Sequence, residues 1–212
     1  MRPKISDNLS VASVRPSRSD FDEPSWAHVS GWAQLAGAMR TISCVISTRD
    51  RAAALSQLLP DLSDALTEAG YPWEVVVVDN GSTDATDALL SGWTEIPGFR
   101  SITLAKHLRY EEALAIGLQS VRGDAVFLLA VDTADSLRLL SQMVGLWEGG
   151  AHVVAAPRER RTGVRGIRTW TSQDLAADTG PLGGADIPAG LSELMLIDRT
   201  LTDRILNVEG SD

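Results

Sequence analysis

Three groups of residues have side chains and spacings suited to ligand chemistry. The first is Val75-Val76-Val77-Val78-Asp79-Asn80-Gly81-Ser82-Thr83-Asp84-Ala85-Thr86. A carboxylate at the end of a buried strand can accept hydrogen bonds from a base or ribose. The turn after it offers backbone N–H groups, and Ser82 or Thr83 is suited to cap a following helix. The same residues also make an ordinary Asp-Asn-Gly turn followed by a helix cap. The second group is Arg158, Arg160, Arg161, Arg165 and Arg168, a basic cluster in a chain of net charge −9. Guanidinium forks match phosphate oxygens bidentately, and a solvated basic loop is the alternative. The third lies at the end of another apolar run, Ala130 to Asp135, where Asp132 and Asp135 also suit the capping of a helix that starts near Ser136.

The elements that must hold these groups are legible in the hydrophobic pattern. From Arg40 onward, β-rich apolar runs alternate with stretches of helical period. Strands are predicted over Thr41 to Ser47, Trp73 to Val78, Phe99 to Leu104, Ala125 to Val131 and His152 to Ala155. Helices are predicted over Arg51 to Glu68, Asp84 to Trp93, Glu111 to Val121 and Leu137 to Trp147, with Gly70-Tyr71-Pro72 ending the first. A last element spans Leu191 to Leu206, after a Gly- and Pro-rich stretch from Gly180 to Gly190. Such alternation implies an α/β fold, a Rossmann-like and mostly parallel sheet with helices on both faces. Ligands then bind beyond the carboxyl ends of the strands, here Ser47 to Asp50, Asp79 to Ser82 and Ala130 to Asp135. Residues 1 to 40 read as an N-terminal arm. It is polar and without apolar period to about residue 24, which reads as disorder or a loosely packed arm. A short amphipathic helix follows over 25 to 39, suited to packing on the core or to forming a homodimer.

Composition removes several classes of function. The acidic balance repels nucleic-acid backbones while leaving room for a small phosphorylated ligand. Cys44 is the only cysteine, in an apolar run where a small buried hydrophobe is expected, so an internal disulfide and a cysteine zinc site are both excluded. No apolar run approaches the ~20 residues that span a bilayer, so a cytoplasmic protein is expected, with peripheral membrane contact open. Trp73, Trp93 and Trp147 are expected in the core; Trp170, in an expected loop, is the better candidate for a sugar platform.

Val78 to Thr86 resembles the VDDGSTDGT segment of family 2 glycosyltransferases, with Asn80 and Ala85 as departures. The likeness continues in register. Ile42 to Asp50, ISCVISTRD, is similar to a first-strand motif written VIPxYNE. Leu104 to Leu118, LAKHLRYEEALAIGL, is similar to LxxNxGxxxALxxGL. Gly123-Asp124 resembles the pair that opens the strand leading to the DxD motif, and Leu194 to Arg199, LMLIDR, resembles the FRLLDR segment of dolichyl-phosphate-mannose-synthase-like members.

The resemblance covers about residues 41 to 206 and implies a GT-A-type domain over 41 to 212 that binds a nucleotide-diphosphate sugar. It implies Thr48, Asp79, Ser82 and Asp132 as nucleotide-binding residues, and Arg160 and Arg161 beside the donor diphosphate or a lipid-phosphate acceptor. A divalent metal, Mg²⁺ or Mn²⁺, is usual in the family. Here the DxDxQ positions fall on Ala130-Val131-Asp132-Thr133-Ala134, leaving Asp132 as the one family metal ligand, with Asp135 three residues further on as a substitute. One carboxylate with phosphate oxygens holds Mg²⁺ weakly, which predicts reduced activity or a binding protein that no longer catalyses. Asp186 and Glu193 are the carboxylates near the expected acceptor, and neither sits in a motif that assigns a catalytic base.

Overall fold

The computed structural model describes residues 11–15, 40–132, 134–156, 167–171 and 194–208. Strand β1 is Val11–Arg15, β2 Ile42–Thr48, β3 Trp73–Asp79, β4 Phe99–Leu104, β5 Ala125–Leu129, β6 Val153–Ala156, β7 Arg168–Trp170 and β8 Leu194–Asp198. Helix α1 is Ala52–Ala69, α2 Thr86–Trp93, α3 Tyr110–Ser120, α4 Leu140–Glu148 and α5 Arg199–Val208, with a 3-10 turn over Ala134–Leu139 ahead of α4. They form one eight-stranded sheet in the order β1-β4-β3-β2-β5-β8-β6-β7. The central strands β4, β3, β2 and β5 are parallel, while β1, β8 and β7 each run antiparallel to their neighbours.

The continuous apolar runs become central strands because both faces of the sheet are covered. Ile42, Cys44, Ile46, Val75 and Val77 face a layer made by α1, α2 and α4, with Leu55, Leu62, Leu90 and Met143 against them. Val45, Val76, Val78 and Val126 face the layer of α3 and α5, with Leu114, Leu118 and Ile205. Helix α1 ends where expected, at Gly70, whose φ of 77° lets its N–H reach the carbonyl of Thr67. Helix α3 lies close on the sheet, since a β-carbon on Gly117 would come within 2.4 Å of Val45 Cγ1 and 3.1 Å of Val78 Cγ2. That approach brings the α3 entry loop, residues 105–109, to the carboxyl edge of β3.

Three expectations are corrected. Val11–Arg15, inside the arm read as lacking order, is an edge strand on β4, clamped by Arg15 to Asp87 at 2.9 Å. The unpaired edge of β4 supplies backbone partners that the arm's own sequence does not reveal. The last element is two elements, strand β8 followed directly by α5. Trp170 is not in a loop; it lies in β7 opposite Val153 and packs on the α3–α5 side of the core. Trp147 is buried, and Trp73 and Trp93 pack against the other layer, as expected. The helix expected over 25 to 39 lies outside the described residues.

Candidate functional site at the carboxyl edge of the sheet

Thr48 and Asp79 end adjacent parallel strands and are register partners, buried to 3% and 1% exposure. The Asn80 N–H donates to the Thr48 carbonyl at 2.8 Å, extending the pairing by one residue. One carboxylate oxygen of Asp79, Oδ1, accepts the Ser82 N–H at 3.0 Å, closing the turn. Its other oxygen, Oδ2, and the Thr48 hydroxyl are both buried without a hydrogen-bond partner among the described residues. Leaving a buried polar group unpaired costs about 1–3 kcal/mol, more when it is charged. Two such atoms on register-paired residues at the end of the sheet make this edge the candidate site. The Ser101 hydroxyl is also unpartnered, but it is level with Val77, inside the sheet rather than at its edge.

The turn after Asp79 is locked to the turn after Thr48. The Asp50 N–H donates to Ser82 Oγ at 2.9 Å, and Asp50 Oδ1 accepts the Thr83 N–H at 2.6 Å and the Thr83 hydroxyl at 3.1 Å. These bonds, the Thr83 N–H first, hold the Asp50 carboxyl below the usual carboxylate range despite some desolvation. Asp50 has φ 50°, left-handed for a residue with a side chain, and the latch sustains that conformation. Asp84 accepts the Thr86 hydroxyl and N–H and the Ala52 N–H, tying the starts of α1 and α2 together, and these bonds lower its pKa. Ser82 and Thr83, expected as helix caps, serve this latch instead, and Asp84 binds the start of α2.

Asn80 makes a second tether. Its Nδ2 donates to the Leu108 carbonyl at 2.9 Å, and its Oδ1 accepts the Leu108 N–H at 2.8 Å. Gly81, at φ 74°, lets the loop pass: a β-carbon there would lie 3.2 Å from the His107 nitrogen. The roles of Asp50 and Asn80, and the reach of Asp84 to Ala52, were not readable in sequence, because each acts on a partner in a different turn.

Asp132 follows β5, on the other side of β2 from Asp79, with 68% of its side chain exposed. Its Oδ1 lies 4.0 Å from the Arg51 guanidinium. Among the described residues no three acidic, histidine or cysteine side chains converge as a cation site. Ala130 contributes only a methyl group, and the Asp135 side chain lies outside the described residues. Among the described residues, one exposed carboxylate facing a guanidinium is what this edge offers a hard divalent cation, which needs several oxygen ligands. Arg160 and Arg161, with Arg158 and Arg165, lie outside the described residues, as do Asp186 and Glu193; Arg168 is exposed on β7. Cys44 is buried, and its burial together with the Glu74 charge pushes the thiol pKa up, so it is no nucleophile.

A sheet of parallel central strands, with unpaired polar atoms at their carboxyl ends, is the arrangement in which open α/β domains bind ligands. The chain belongs to glycosyl transferase family 2, whose profile matches residues 43–205. It is 26% identical over 165 residues to an uncharacterised glycosyltransferase of Synechocystis sp., covering 77% of this chain and 52% of that protein. It is 29% identical over 125 residues to the undecaprenyl-phosphate 4-deoxy-4-formamido-L-arabinose transferase of Serratia proteamaculans, covering 58% and 38%. A mannosyltransferase of Pyrobaculum calidifontis, solved with GDP-Man and Mn²⁺, superposes with a TM-score of 0.54 at 20% identity over 79% of this chain and 47% of that one, which supports the fold. The chain spans about half the length, or less, of the curated relatives it matches. No described helix is long and apolar enough to cross a membrane.

Proposed function

We propose that the chain binds a nucleotide-diphosphate sugar across the carboxyl edge of β3, β2 and β5 and transfers the sugar to a lipid-phosphate acceptor. The observation that carries the reading is the buried pair of unpartnered polar atoms, Asp79 Oδ2 and Thr48 Oγ1. Asp79 takes the base or ribose, Thr48 adds a second polar contact, Ser82 holds the turn, and Asp132 meets the donor on the far side of β2. Arg160 and Arg161 are assigned to the phosphates. Family membership supports the donor class, and the undecaprenyl-phosphate named for one relative supports the acceptor class.

A phosphate acceptor also fits the lack of an assigned base. Such an acceptor is largely ionised near neutral pH, because its second pKa is about 6. Its oxygen then attacks the anomeric carbon, the bond to the leaving diphosphate breaks, and no proton has to be removed. What the protein must supply is stabilisation of the departing diphosphate charge.

The test is calorimetric titration of UDP and GDP, and of uridine and guanosine, into the full chain and its variants. Losing a hydrogen bond to a charged acceptor costs about 1.5–3 kcal/mol, so Asp79→Ala should weaken binding by about tenfold or more while the chain stays folded. Unchanged affinity would place the site elsewhere. In the Arg160→Ala, Arg161→Ala double variant the diphosphates should weaken more than the nucleosides. A second reading, a binding protein that no longer catalyses, is favoured by Ala130 and by the Arg51 partner of Asp132. Donor binding without sugar transfer to a prenyl phosphate would select it.

A further inference from the structure

We propose that Arg51 is a phosphate-binding residue, a guanidinium on a fixed backbone that faces the donor diphosphate so that binding depends little on a divalent metal. The inference rests on the nucleotide-sugar reading above. Strand β2 lies between β3, which ends in Asp79, and β5, which leads to Asp132. Arg51, three residues past Thr48, therefore stands between the nucleoside anchor and the far end of the site. A donor lying across this edge must place its diphosphate over the start of α1.

Arg51 is held by its neighbours rather than by its own side chain. On one side Asp50 is bonded to Ser82 and Thr83; on the other the Ala52 N–H donates to Asp84 at 3.1 Å. Both flanking residues are thus tied to the turn that begins at Asp79, which fixes the Arg51 backbone relative to the nucleoside anchor. The guanidinium itself makes only the 4.0 Å approach to Asp132 among the described residues, with 56% of the Arg51 side chain exposed. An exposed pair at that distance is weak and yields to a ligand with two negative charges. The planar fork then offers paired N–H donors to phosphate oxygens. The same guanidinium disfavours a divalent cation at Asp132, since the two positive charges would share one carboxylate.

The experiment titrates uridine, guanosine, UDP and GDP, with and without Mn²⁺, into the full chain and its Arg51→Ala, Arg51→Lys and Asp79→Ala variants. Arg51→Ala is expected to weaken the diphosphates by about tenfold or more, the loss expected for a charge-assisted hydrogen bond, and to leave the nucleosides within about twofold. Arg51→Lys should fall between, because an ammonium is a point charge without the fork. Mn²⁺ should change UDP or GDP affinity of the unmodified chain by less than about threefold, and should tighten it more in Arg51→Ala, where Asp132 is freed. Equal effects of Arg51→Ala on nucleoside and diphosphate, no effect on either, or strict Mn²⁺ dependence of the unmodified chain would each overturn the inference. If Asp79→Ala abolishes binding while Arg51→Ala keeps full diphosphate affinity, the site reading stands and only the Arg51 assignment fails. If neither nucleosides nor diphosphates bind the unmodified chain, both fall together.

Discussion

Replacing Asn80 by aspartate would give this chain the residue that the resembling family segment has there, and it should nevertheless destabilise the protein. Asn80 is 4% exposed, and both ends of its amide are used by Leu108. Asn80→Asp keeps the acceptor for the Leu108 N–H but removes the donor to the Leu108 carbonyl. It leaves that carbonyl facing a carboxylate oxygen and sets a second negative charge beside buried Asp79. An unsatisfied buried carbonyl costs about 1–3 kcal/mol, and the added charge brings the expected loss to about 2–4 kcal/mol.

The sign of the pH dependence follows from the same geometry. The introduced carboxyl is disfavoured as an anion in the folded state, so its folded pKa lies above the unfolded value of about 3.9. Between those two values the folded state binds more protons, so stability relative to wild type falls as pH rises. Once protonated, the carboxyl regains an O–H donor for the Leu108 carbonyl. Urea unfolding followed by tryptophan fluorescence should therefore show a larger deficit at about pH 7.5 than at about pH 5, each measured against wild type at the same pH. A variant as stable as wild type, or a deficit that does not change with pH, would refute the tether.

Gly117→Ala should cost about 1–3 kcal/mol by overpacking α3 against Val45 and Val78. Thermal denaturation reads this as a lowered midpoint, and Val45→Ala in the same chain should recover part of the loss if the clash is the cause. For Asp50→Ala, the missing latch should lower stability by an amount that is constant through neutral pH. Because the Asp50 pKa is depressed, its contribution is complete above about pH 4 and is lost as pH falls through the folded value. Denaturant melts across the acid range should show the difference between wild type and variant narrowing only there.

Much of the scaffold was legible in local pattern. The buried runs of β2, β3 and β5 and the helical period of α1 and α3 depend on residues a few positions apart. Hydrophobic periodicity records such spacing directly. The end of β3 at Asp79 and the stop at Gly70 are equally local. What only the tertiary structure decided was which turns meet at the carboxyl edge. Asp50 reaches Ser82 and Thr83, Asn80 reaches Leu108 and Arg51 reaches Asp132 because parallel pairing of β4, β3, β2 and β5 brings their ends together. Strand β1 likewise exists as a strand through the open edge of β4, since its five residues carry no strong period of their own. A sequence pattern reports which face of an element is apolar. It does not report which polar group waits at the end of the neighbouring strand, and at this edge those polar groups make up the candidate site.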